Sequence, residues 1–157
     1  VATRPLRRAR RHRVDYRRIV VPLVRDDEFD AAVALAAELA AEARASITAV
    51  VVIEITAELP LEAHMDDEEA AARTALERAR AISGRHGVRL RARVVRARAL
   101  GEAIVAEADA AEADLIVVCV RRTEQFVRSA PVFDKTVDFV LRHASCRVLV
   151  AAPPFGE

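Results

Sequence analysis

The stretch CVRRTEQFVRSAPVFDKT, Cys119 to Thr136, gathers Arg121, Arg122, Arg128 and Lys135 into one segment between an apolar run and an amphipathic one. Cations so placed suit a phosphate or another anion, because a guanidinium offers a planar fork of donors. Loops that cradle phosphate with their backbone rely instead on glycine, which permits positive φ and lets N–H groups approach the oxygens. This segment contains no glycine. Two chemistries therefore stand open: anion capture by side chains, or a solvated loop whose arginines pair with Glu124, Asp134 or Asp138. Asp134 bears on the choice. It is placed to N-cap the helix that follows, accepting from N–H groups near Thr136 and Val137. A phosphate at that helix pole would meet a like charge where it needs donors.

Other reactive side chains offer less. His12, His64, His86 and His143 have no partners at metal-ligand spacing, so no metal site is expected. His143 falls in the last turn of a helix, where the dipole favours a cation. Ser129 and Ser145 lack a nucleophile-elbow or triad context, and no catalytic residue is expected. Cys119 ends a strand beside Arg121 and Arg122, which would favour its thiolate; a small buried residue is the structural alternative. Cys119 and Cys146 show no CxxC pattern and no secretory signal accompanies them, which points to a reducing compartment and partly buried thiols rather than a disulfide.

At 157 residues, 53% apolar and 31% charged, the chain has the size and composition of one packed domain. Its net charge of +1 is unevenly spread. Residues 1–18 hold eight arginines against Asp15, whereas the rest holds 17 basic and 23 acidic side chains. Residues 1–17 show neither helical nor strand period and are expected to be a flexible basic tail or a juxtamembrane linker. RPLRRARRHR could meet nucleic acid, but it has no aromatic residue for stacking on bases, and a membrane-surface or disordered role is preferred. No apolar run reaches the length of a membrane span. A start at Val rather than Met leads to the expectation of a fragment, or of a processed or unusually initiated chain.

These side chains must be positioned by regular elements, and the pattern beyond the tail is regular. RIVVPLV (18–24) is a β-branched run suited to a strand buried on both faces. Asp26 and Asp27 can cap the next helix, in which Phe29, Ala32, Val33, Ala36, Leu39 and Ala40 share one face. SITAVVVIEI (46–55) is a second buried strand. A second helix follows ELPLEAHM, with Ala72, Leu76, Ala79 and Ile82 as its inner stripe and Gly84 and Gly87 at its end. VRLRARVVRA (88–97) reads as a strand with one arginine-bearing face, which fits a sheet edge or a strand only thinly covered. A third helix (Leu100, Ile104, Ala108, Ala111), the strand DLIVVCV, a fourth helix (Val137, Val140, Leu141, Ala144) and the strand CRVLVA complete the chain. The alternation predicts a parallel sheet with helices on both faces. Ligands bind such sheets beyond the carboxyl ends of the strands, where strand order reverses. That singles out the loops at 25–27, 56–65, 98–100 and 121–133.

Several segments carry a family resemblance. RIVVPLVRDDEFDAAVALAAELA, ARALGEAIVAEADAAEADLIVV and TVDFVLRHASCRVLVA, with the spacing between them, resemble the universal stress protein domain over residues 18–152. ELPLEA, RARALGEAIV and DKTVDFVLRHASCRVLVA resemble most the stress-protein domains that follow the membrane part of bacterial amino-acid permeases. The resemblance implies a five-stranded parallel sheet of order 3-2-1-4-5, Rossmann-like and of the adenine nucleotide alpha hydrolase type, with 153–157 as a C-terminal tail. It also implies a non-enzymatic, cytoplasmic regulatory or interaction module. Such a module would regulate an amino-acid transporter in cis or in trans, with the basic tail against the inner leaflet.

In ATP-binding members of that family a glycine signature follows the fourth strand. Mapped here, its first two glycines fall on Cys119 and Arg122, and its final Gly–Ser/Thr pair on Asp134 and Lys135, with Thr136 one place on. The family's acidic residue after the first strand falls on Val24, with Arg25 next. The expectation is therefore no cofactor bound in the usual way. A nucleotide module holding ATP or AMP through the arginine loop is the alternative, and a nucleic-acid-associated protein acting through its tail is the third. The last strand, with Arg147, Val148, Leu149 and Val150, lies at a sheet edge, and the resemblance implies a homodimer joined there.

Overall fold

The computed structural model describes residues 15–24, 29–120 and 133–152. The elements run β1 (Arg18–Pro22), α1 (Phe29–Ala43), β2 (Ser46–Glu54), α2 (Asp66–Arg85), β3 (Leu90–Ala97), α3 (Leu100–Ala110), β4 (Leu115–Cys119), α4 (Lys135–His143) and β5 (Arg147–Ala151). All strand pairs are parallel and the sheet order is β3-β2-β1-β4-β5. This is the expected 3-2-1-4-5 α/β architecture.

The period-two alternation of strand side chains splits the core in two. Ile19, Val21, Ile47, Ala49, Val51, Leu115 and Val117 pack with the inner faces of α1 and α2. Val20, Val50, Ile116 and Val118 pack with Ile104 and Ala108 of α3 and Val137 and Val140 of α4. The central strands β1 and β4 are covered on both sides, which is why their sequences read as unbroken β-branched runs. The buried face of α1 is Phe29, Ala32, Val33, Ala36, Ala37 and Ala40, so beyond its first turn it is made mostly of small residues that let the helix lie close to the sheet.

Local chemistry ends the helices. α2 has Asp66, Asp67, Glu68 and Glu69 in its first turn and Arg85 in its last, in keeping with its dipole. It stops at Gly87, whose φ of +70° suits glycine, and Ser83, fully buried, donates its hydroxyl to Val88 O at 2.7 Å. Asp26 and Asp27, the expected caps of α1, lie outside the described residues.

β3 departs from the sequence reading. It is an edge strand, but its arginines do not share one face. The consecutive valines Val94 and Val95 shift the alternation by one place. Arg93 consequently meets Glu107 of α3 at 3.0 Å, whereas Arg96 reaches Glu69 of α2 on the other face.

Candidate functional site

β1 and β4 are neighbours in the sheet, yet the chain leaves β1 toward β2 and β4 toward β5. The crevice of such a sheet lies beyond the carboxyl ends of these two strands. On one side Leu23 N–H donates to Val50 O at 2.8 Å, and Val24 follows, 37% exposed. On the other side Cys119 pairs in register with Ala151, and Val120 N–H donates to Ala151 O at 2.9 Å. Cys119 is half-buried against the α1/α2 core.

The amino end of α4 faces the same crevice. Asp134 has extended backbone angles, φ −68° and ψ 169°, and its Oδ1 accepts the Val137 N–H at 2.9 Å. Its own carbonyl accepts the Asp138 N–H at 2.9 Å. The expected N-cap is thus formed, and it places a carboxylate among the donors an anion would use. Lys135 is exposed and Thr136 half-buried in the first turn. Val24 follows β1, Cys119 ends β4, and Asp134, Lys135 and Thr136 open α4, so all five stand at the carboxyl end of the sheet. Arg25, Arg121, Arg122 and Arg128, together with His12 and Ser129, lie outside the described residues.

Two arginines hold the neighbouring loop: Arg98, which opens the candidate loop at 98–100, and Arg96, which the sequence reading placed only on the polar face of β3. Arg98, just past β3, donates through Nη1 to Ile55 O at 3.3 Å and also to Thr56 O. Arg96 donates through Nη1 to Leu61 O at 3.1 Å and Ala63 O at 2.5 Å, while Nη2 pairs with Glu69. Together they pin the loop between β2 and α2, whose turns are closed by Leu59 N–H to Thr56 O and Ala63 N–H to Pro60 O. The signal was present in the sequence: the Val94–Val95 pair puts Arg96 on the α2 face, and Arg98 stands just past the strand. Nearby, Glu58 is held below the ordinary carboxylate range. The main cause is a backbone hydrogen bond at Glu58 itself, then one from Thr56, with Arg98 adding attraction. Outside the loop, Ile53, Glu69, Arg73, Val94 and Arg96 line an open cleft of about 380 Å³ beside the β3 edge.

His143 shares a hydrogen bond with Phe139 O through Nδ1 at 2.9 Å and stacks on the Phe139 ring at 4.0 Å. Among the described residues no group of His, Cys, Asp and Glu could hold a metal ion. Ser145 donates to Asp109 at 2.5 Å, at the end of the sheet away from the crevice. Cys146 sits there too, before β5, while Cys119 ends β4. The register Leu115↔Arg147 and Cys119↔Ala151 puts them at opposite ends of the sheet, too far apart for a disulfide, and neither forms one. Burial first, then the Asp109 carboxylate, pushes the Cys146 thiol above its ordinary value.

β5 forms the edge opposite β3. Its Val148, Leu149 and Val150 are half-buried and Arg147 is exposed. No described helix is long and apolar enough to cross a membrane.

A family model described as the universal stress protein family matches residues 15–152. A universal stress protein from Archaeoglobus fulgidus, solved in complex with dAMP, is 20% identical with a TM-score of 0.67, covering 87% of this chain and 98% of that one. A universal stress protein family member from Burkholderia pseudomallei is 28% identical with a TM-score of 0.67, covering 88% and 97%. The universal stress protein UspA from Lactobacillus plantarum is 23% identical with a TM-score of 0.68, covering 86% and 97%. Among curated proteins none matches. With strand order, two-faced core and family match in agreement from before β1 to just past β5, the chain belongs to the universal stress protein family.

Proposed function

We propose that this universal stress protein domain is a non-enzymatic regulatory module that does not hold ATP through a glycine-type phosphate loop. The observation that carries the reading is Asp134 capping α4 at the switch point. Its carboxylate takes a donor and repels a phosphate at the same spot. The absence of glycine between Cys119 and Thr136 removes the backbone approach that such a site needs. On this reading the module pairs with a second copy through β5. It acts from the cytoplasmic side on an amino-acid transporter, in cis or in trans, as the permease-like segments imply.

A second reading keeps nucleotide binding, through Arg121, Arg122 and Arg128 instead of glycine. Its support is the Archaeoglobus fulgidus protein of the same fold, solved with dAMP. Calorimetric titration of the full chain with ATP and AMP decides between them. The first reading expects no micromolar binding. Micromolar binding that Arg122→Ala abolishes would replace it with the second.

A further inference from the structure

Among the described residues acids outnumber exposed cations at the carboxyl end of the sheet, where Arg98 and Lys135 also stand. At the carboxyl end, around the crevice and the β2–α2 loop, Glu54, Glu58, Glu62, Asp66, Asp67 and Glu68 are all exposed. At the amino end the arginines collect. Arg44 leads into β2, Arg85 closes α2, Arg89 precedes β3 and Arg147 opens β5. Arg85, Arg89 and Arg147 are exposed, and so is Arg44 at the turn out of α1. None of the four forms an ion pair among the described residues.

The acids of the amino end are mostly engaged. Asp15 pairs with Arg17, and Glu112 with Arg18. Asp114 Oδ2 accepts the backbone N–H groups of both Arg17 and Arg18 at 2.8 Å. Asp109 accepts from Ser145, and Glu42 alone stands exposed without a described partner. The Asp114 bonds fix the root of β1 at this end. The chain before Asp15, with Arg4, Arg7, Arg8, Arg10, Arg11 and Arg13, is therefore joined to the molecule at its basic pole.

We propose that the amino pole of the sheet docks flat on an anionic lipid bilayer, with Arg85, Arg89 and Arg147 contacting headgroups and the acidic crevice end facing away. Four inter-strand steps of about 4.8 Å separate Arg89 at one edge from Arg147 at the other, about 19 Å, with the Arg18–Glu112 pair and Asp114 between them. The acidic pole lies at least one strand length away, about 17 Å, well beyond a Debye length of about 8 Å, so the bilayer does not feel it. Nucleic acid is the weaker match. Tyr16, the one aromatic side chain described at this pole, packs into the core and offers bases no stacking surface. The dipoles at the ends of α1 and α2 give Arg44 and Arg85 a structural reason to be there as well. Arg89 and Arg147 stand on strand ends and have no such reason. The proposal extends the transporter reading by giving the domain an orientation, and it holds for a chain acting in cis or in trans.

The test is sedimentation of the full chain with vesicles of phosphatidylserine and phosphatidylcholine, mixed at about one to two, in salt of about 0.15 M. Binding is expected to the mixed vesicles and not to phosphatidylcholine alone. Each arginine at a lipid surface is worth about fivefold in partition, so the triple variant R85Q/R89Q/R147Q should bind about 100-fold more weakly. Its thermal midpoint, compared with the parent chain, separates lost docking from lost fold. If the triple variant is unstable, R89Q/R147Q carries the test with an expected loss of about 25-fold. At the opposite pole, D66N/D67N/E68Q should leave binding unchanged. Three results would each overturn the proposal: triple and double variants that bind like the parent, a far-pole variant that binds as much tighter as the triple binds weaker, or duplex DNA bound more tightly than vesicles. A failure here leaves the ATP titration and the β5 dimer unaffected.

Discussion

The Asp134 carboxylate accepts the Val137 N–H at 2.9 Å and so closes the amino end of α4 with a group of the same sign as a phosphate. One contact thereby serves the stability of the helix and opposes an anion at the crevice. The two effects separate by substitution. Asp134→Ala should cost about 1 kcal/mol in denaturant unfolding. Asp134→Ser keeps a capping oxygen without the charge, so it should cost less than half of that. Asp134→Ser should also raise the affinity for inorganic phosphate a few-fold in calorimetry. Equal stability losses for the two variants would show that the carboxylate charge, not a capping oxygen as such, supplies the contribution.

Gly101 of α3 lies under Phe139 of α4. A Cβ at position 101 would come within 2.8 Å of Phe139 Cβ. The Phe139 Cβ is fixed to the α4 backbone, so a rotamer change cannot relieve the clash and the two helices must part. Overpacking of this kind costs about 1–3 kcal/mol, while glycine to alanine in a helix returns up to about 1 kcal/mol. Gly101→Ala should therefore be net destabilising, with a thermal midpoint lowered by a few degrees, and Gly101→Val more so. An unchanged midpoint in Gly101→Val would disprove the close approach.

Glu58 has its folded pKa lowered, so its contribution to stability is present above the unfolded value of 4.5 and is lost as pH falls through the folded value. The β2–α2 loop should therefore loosen only below pH 4.5, seen as faster amide exchange across residues 56–65. Thr56 outranks Arg98 among the causes, so Thr56→Ala should move the Glu58 midpoint upward more than Arg98→Ala does. The reverse order in an NMR titration would mean that charge, not hydrogen bonding, governs this carboxyl.

β5 leaves one sheet edge open, with Val148, Leu149 and Val150 only half-buried. Equilibrium sedimentation of the full chain should give twice the chain mass. Leu149→Lys should give a folded monomer, because an edge charge blocks strand pairing. A parent chain that sediments as a monomer at micromolar concentration removes the dimer from the proposed function.

The sequence by itself determined the element order, the burial of β1 and β4 on both faces, the inner stripes of the helices and the cap at Asp134. Each of these depends on contacts within about four residues or on the period of a single element. Tertiary structure decided what depends on residues far apart in the chain. Asp114 receives the N–H groups of Arg17 and Arg18 across 97 and 96 positions, and Arg98 reaches Thr56 O across 42. The face taken by Arg96 turned on a phase shift at Val94 and Val95, which gains meaning only once α2 and α3 lie on opposite sides of the sheet. The parting of Cys119 from Cys146, and of the acids from the arginines, followed from strand register. Sheet order and register come from packing the whole chain, so no local window of residues contains them.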